Sequence, residues 1–136
     1  MATSRGIRNN NPGNLRRSAD NWAGLTPEQS DPDYFQFSDP LYGLRALART
    51  LYNYQARHGL ETIRDIIARW APEAENDTAA YVAAVASDMA AAADEPLDLD
   101  DREELAALTK AVVRHENGAQ PYSDDLIAQA VRSALA

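Results

Sequence analysis

On one face of a helical stretch near the end of the chain, Leu105, Leu108 and Val112 recur at steps of three and four, and the next step of four lands on Glu116. A carboxyl group at the end of a core-facing stripe loses hydration, and the negative C-terminal end of a helix opposes its charge, so both influences favour the protonated acid. A group held in that form is what general acid catalysis requires. Gly118, two residues on, lets the chain turn away and leaves the carboxyl facing a cleft. The same periodicity also fits a glutamate that reaches solvent at a fraying helix end. His115, beside it, has either the chemistry of a proton relay or substrate contact, or the ordinary role of a surface histidine.

The elements that must position this acid are mostly helical. Residues 5–38 are rich in Asn, Gly, Pro, Ser and Asp and read as loop with short strands, "DYFQFS" giving the best alternation and "GNLRR" a weaker partner. From Asp39 the texture changes. Asp39 as N-cap and Pro40 in the first turn open a helix through Leu44, Leu47, Leu51 and Tyr54, stopped by Gly59. A second helix spans Leu60 to Trp70 and ends before Pro72. Asn76, Asp77 or Thr78 caps a third, with Tyr81, Val82, Val85 and Met89 inward, fraying into 90–93. The acidic linker "DEPLDLDD" reads as exposed. A capping box of Asp100 with Glu103, or Asp101 with Glu104, opens the helix that carries Glu116, and Ser123 caps a last one. The expected fold is mainly α, with about five helices over 39–135, a small irregular or β lobe over 5–38, and one domain spanning 1–136.

Composition narrows the function. The 136 residues, 45% hydrophobic, suffice for one core. With no cysteine, and His58 and His115 isolated, neither a disulfide nor a metal site is indicated, and no cofactor is called for. The N-terminus lacks an apolar h-region and no run approaches the length of a membrane span, so the expectation is a soluble monomer made in the cytoplasm without a signal peptide. A net charge of −8 argues against nucleic acid as a partner. The charge is uneven, because Arg5, Arg8, Arg16 and Arg17 all precede the first acid, Asp20. That end is either a solvated basic terminus or a contact for an anionic polymer.

"AVVRHENG", an apolar helix ending in Glu, a small polar residue and Gly, resembles the catalytic helix of the lysozyme superfamily, which ends in Glu-Ser-Gly or Glu-Thr-Gly in goose-type lysozymes, soluble lytic transglycosylases and flagellum-type glucosaminidases. "NNNPGNLR", "WAGL", "YFQF" and "DPLYGLRALARTLYNY" are similar to the glucosaminidase lobe and the helix after it, and "NDTAAYVAAV" resembles the segment that presents a tyrosine beside the acid. The opening "RGIRNNNPGNLR" looks like that of small phage-virion lysozyme-like or lytic-transglycosylase-like proteins. In the relatives the acid helix precedes the Asn-rich lobe, whereas here it follows, an order that reads as a circular permutation.

The resemblance implies an α+β lysozyme-like fold and cleavage of the β-1,4 bond between amino sugars of peptidoglycan glycan strands, at the periplasmic cell wall, with virion association one route there. Glu116 would be the general acid and base, supported by Tyr81, which otherwise reads as a core aromatic. A hydrolase would add a second carboxylate, for which Glu28, Asp31 and Asp33 are available, although "PEQSDPD" is also ordinary turn composition; a lytic transglycosylase manages with one. Asn9, Asn10, Asn11 and Asn14 suit sugar hydroxyls and acetamides, and equally suit tight turns. Trp22 could stack on a sugar or plug the small lobe, and the early arginines would face stem-peptide carboxylates. The rival expectation is a non-catalytic virion structural or cell-wall-binding protein that keeps the fold without the activity.

Overall fold

Asp39 begins the helical body in the computed structural model, which describes residues 3–136. Its carboxylate accepts from the Leu41 N–H at 2.9 Å, and Pro40 supplies a first turn that needs no N–H partner. Among the described residues there are six helices: α1 (Arg5–Arg8), α2 (Pro40–His58), α3 (Ile63–Trp70), α4 (Thr78–Met89), α5 (Arg102–Asn117) and α6 (Asp124–Leu135). Thr62, Asp77, Asp101 and Ser123 cap α3 to α6 through their side chains. Gly59 and Gly118 end α2 and α5 in the left-handed region, at φ 66° and 73°, where glycine carries no Cβ penalty.

Helix α2 runs along α6, and α5 lies against α2, α4 and α6, while α3 bridges α2 and α4. Leu44, Leu47 and Leu51 from α2 meet Ile66 and Ile67, Tyr81 and Val85, Leu105, Leu108 and Val112, and Ile127 and Val131 in one buried cluster. Burying each large aliphatic side chain contributes about 1.5–3 kcal/mol, so this cluster dominates the stability of the body. A second, small cluster of Phe35, Phe37 and Ala46, flanked by Leu15, Trp22 and Leu25, supports the N-terminal lobe against the outer face of α2.

The five helices expected over 39–135 are present as α2 to α6, and the lobe over 5–38 adds α1, a single turn that rests on α5. Three expectations are corrected. "DYFQFS" and "GNLRR" do not form a ladder: they meet at one antiparallel bridge, Arg16 with Tyr34, with a second between Leu25 and Phe37, because asparagine side chains take the carbonyls that a neighbouring strand would use. The second helix starts at Ile63 and not at Leu60, since Thr62 outcompetes the residues before it as a cap by accepting from the Asp65 N–H at 3.1 Å. The acidic linker is exposed only in part. Leu99 is fully buried, and Gln55 pins the segment by donating to the Leu97 carbonyl and accepting from the Leu99 N–H. Of the two capping-box alternatives Asp101 is the cap, and Glu104 reaches the Asp98 N–H instead of returning to Asp101.

The lobe and the body approach most closely at Gly43, where a Cβ would stand 1.8 Å from the backbone oxygen of Asn10. Backbone cannot step aside as a flexible side chain can, so Gly43→Ala is expected to lose about 1–3 kcal/mol of stability or more in urea unfolding. Gly59→Ala, where nothing lies within 4 Å, should lose only the left-handed penalty of about 1–2 kcal/mol.

Candidate active site

The last turn of α5 delivers two polar side chains to the seam between the lobes. Asn117 faces the small lobe: its amide donates to the carbonyls of Pro12 at 2.8 Å and Val113 at 2.9 Å, and its oxygen accepts from Ser4 Oγ at 2.6 Å. Glu116 is half-buried and lines a cleft of about 290 Å³ with Asn14, Arg16, Tyr34, Trp70 and Glu75. One wall of that cleft is the Asn-rich lobe and the other is formed by α2, by the end of α3 and by the α3–α4 turn.

Both oxygens of Glu116 meet donors, one from each lobe. Tyr81 Oη donates to Oε2 at 2.8 Å and Asn14 Nδ2 donates to Oε1 at 3.2 Å. Tyr81 is itself held, because Trp70 Nε1 donates to its oxygen at 3.1 Å and the rest of the ring lies in the core at 1% exposure. Burial first, and then the Glu116 carboxylate, push the Tyr81 phenol far above its ordinary value, so it stays a hydroxyl and a donor over the working pH range. His115 stacks on the Tyr81 ring at 3.7 Å between centroids and is exposed. It sits beside the tyrosine and does not line the cleft.

The other sequence candidates separate. Asn9 and Asn11 are buried and fully used within the lobe: Asn9 joins Asp31 and Gln36, and Asn11 donates to the Leu15 and Phe35 carbonyls while accepting from the Leu15 N–H. Asn10, at φ 53°, donates to the Phe37 carbonyl. Asn14, at φ 50°, is both a turn residue and a cleft residue. Trp22 packs against the small cluster and opens onto an adjoining hollow that shares Thr50 and Tyr54 with the cleft.

None of the three proposed second carboxylates lines the cleft. Glu28 is exposed, and Asp33 is shared with Arg5 at 3.2 Å. Asp31 is the centre of a structural knot: Arg5 grips both oxygens at 2.5 and 2.7 Å, and Asn9 and the N–H groups of Asp33 and Tyr34 donate to it. The second carboxylate that does line the cleft is Glu75, in the α3–α4 turn, together with Trp70; in the sequence Trp70 marks only the end of a helix, and Glu75 goes unnoticed. The turn composition "APEAEND" after an aromatic at a helix end was the available signal.

Arg5, by its hydrogen bonds, holds the Asp31 carboxyl well below the usual carboxylate range against the opposing effect of burial, and the Asn9 and backbone donors assist it. A carboxyl depressed in the folded state stabilises the fold above its unfolded value, about pH 4, and loses that contribution as pH falls below it. Asp31→Asn should therefore lower Tm at pH 7 and flatten the decline of Tm between about pH 4 and pH 2 relative to wild type, as read by circular dichroism melts across pH.

Glu116, Tyr81 and Asn14 thus form a hydrogen-bonded carboxyl in a cleft, an arrangement able to donate and receive a proton at a bound ligand. No known family model matches the chain. Protein P5 of Pseudoalteromonas phage PM2 is 41% identical over 127 residues, an alignment that takes in 91% of this chain and 78% of the phage protein. With that identity sustained through almost the whole sequence, the chain belongs to the family of Protein P5 of phage PM2.

Proposed function

We propose that the protein cleaves the β-1,4 bond between amino sugars in peptidoglycan glycan strands, in a lysozyme-like domain whose acid helix has moved by circular permutation from the front of the fold to its back. The observation that carries this reading is the Glu116 carboxyl, presented in a cleft between two lobes and clamped by Tyr81 Oη and Asn14 Nδ2. The kinship with a phage protein fits a role in passing a bacterial wall during infection or release, with the virion as one means of delivery.

In the mechanism, a sugar chain lies along the cleft with one glycosidic oxygen at Glu116. Both oxygens accept in the free protein, but Tyr81 holds Oε2 by the shorter bond, 2.8 Å against 3.2 Å from Asn14 to Oε1, so Oε1 is assigned as the oxygen that carries the acid proton once a ligand displaces Asn14. That proton passes to the glycosidic oxygen as the C1–O bond breaks and positive charge develops on the ring. Glu116, now a carboxylate, then removes a proton from the incoming nucleophile. If this is water, a hydrolytic product forms; if it is the 6-hydroxyl of the same sugar, the product is a 1,6-anhydro ring. None of Glu28, Asp31 and Asp33 lines the cleft, which supports the anhydro route that needs Glu116 alone, and Glu75 is the carboxylate available to the hydrolytic one.

Purified peptidoglycan digested with wild type should release muropeptides, with anhydro ends identified by mass spectrometry, and Glu116→Gln should release none. A wild type without products contradicts the activity; a Glu116→Gln variant at the wild-type rate contradicts the residue. Tyr81→Phe removes one charge-assisted hydrogen bond and should lower the cleavage rate about 10- to 100-fold while the protein remains folded, which kinetics alongside a thermal melt will check.

A further inference from the structure

Four arginines open the chain, and the fold commits three of them. Arg5 is bound to Asp31 and Asp33, Arg8 to the Thr3 carbonyl, and Arg17 to the carbonyls of Asp31 and Gln29. Arg16 is different. Its guanidinium lies 5.8 Å from the centroid of the Tyr34 ring, lines the same cleft as Glu116, and has as its ionic partner Glu75 across the cleft at 3.7 Å. Both members of that pair are about two-thirds exposed, with side chains 66% and 62% accessible, so solvent screens the pair and it holds the arginine only loosely. Backbone pairing of Arg16 with Tyr34 fixes where the side chain starts, at the cleft that Tyr34 also lines, and the Tyr34 ring, which carries the Arg5 guanidinium at 4.7 Å, is within reach of it. A guanidinium placed in this way and weakly paired is suited to exchange one carboxylate for another in a two-point hydrogen bond.

We propose that Arg16 is the specificity residue of the cleft, recognising a carboxylate carried on the sugar chain, and that Glu75 is the internal carboxylate which occupies it until the ligand arrives. The proposal rests on the glycan reading of the cleft given above, and assigns it a preference: a strand bearing a carboxylate next to the bond at Glu116 binds better than a neutral amino-sugar strand. Two groups supply that chemistry, the lactyl ether of a muramic residue and the stem peptide attached to it. With the lactyl group free the carboxylate is on the sugar itself; with the peptide in place it is displaced along the peptide.

The test measures binding by calorimetry on a Glu116→Gln background, which prevents turnover. Three ligands are compared: a chitin oligosaccharide, glycan strands stripped of peptide by an amidase, and peptide-bearing strands. The account expects the parent protein to prefer at least one carboxylated ligand over chitin. Arg16→Gln should reduce that preference about three- to tenfold and Arg16→Lys should retain part of it, whereas Glu75→Gln, by removing the competitor, should raise it about two- to threefold. A preference for stripped strands assigns the lactyl group, and one for peptide-bearing strands alone assigns the peptide. A preference unchanged by Arg16→Gln, with all glycans still bound, overturns the role of Arg16 and spares the reading of the cleft. If no glycan binds at all, that reading fails and this one with it. Arg16 is exposed, so its loss does not endanger folding, and a thermal melt serves as the control.

Discussion

The side chain of Asn117 joins the two parts of this molecule, and the candidate site exists because it does. The last residue of α5 spends its amide on Pro12 and Val113 and its oxygen on Ser4, so the helix end and the N-terminal lobe are fixed to each other by charge-neutral hydrogen bonds of ordinary length. The amide adds a second donor to a carbonyl of its own helix, Val113, and supplies one to a carbonyl of the lobe, Pro12, at once. The residue before Asn117 lies on the same last turn, close to that seam. Glu116 enters the cleft beside Asn14, from the loop that Asn117 anchors, and beside Tyr81, from α4 packed on the other side of α5.

The rest of the lobe serves that joint. Its apolar cluster is small, and the segment is held as well by side-chain hydrogen bonds, Asn10 and Asn11 bonding the backbone where a sheet would otherwise be needed and Asn9 joining the Asp31 and Gln36 side chains. The Arg5–Asp31 pair closes the same network, at the cost of removing Asp31 from any chemical role. Glycine at position 43 then lets α2 come against the Asn10 carbonyl without a gap. Placement of a chemically capable group by rigid surroundings is what proton transfer at a bound ligand requires, since small misplacements cost rate steeply.

The features governed by neighbours in the chain were legible in the sequence. Asp39, Pro40, Gly59, Gly118 and Ser123 mark helix ends by capping chemistry that acts over three or four residues, and the structure places them there. The stripe that led to Glu116 is of the same local kind, and the core-facing residues of α5 before it are buried as expected. What depends on distant partners was not legible. Alternation in "DYFQFS" could not reveal that asparagines 24 to 27 residues away would take its carbonyls, and nothing local distinguishes Asp31 from Asp33 before Arg5 is brought to it. Leu99, read as part of an exposed acidic linker, is buried because Gln55 reaches it from another helix. A one-turn helix such as α1 lies below the length at which propensity decides anything, and it forms because α5 supports it. Trp70 and Glu75 join the cleft only through the packing of α3 and α4 around Tyr81.

The central claim is that Glu116 faces the bond to be broken. A crystal structure of the Glu116→Gln protein with a bound peptidoglycan oligosaccharide tests it most directly. The account predicts a β-1,4 glycosidic oxygen within about 2.6–3.2 Å of the residue 116 side chain, with the sugar chain passing between Asn14 and Glu75. A chain seated elsewhere on the surface, or one crossing the cleft with no glycosidic oxygen in reach of that side chain, would contradict it.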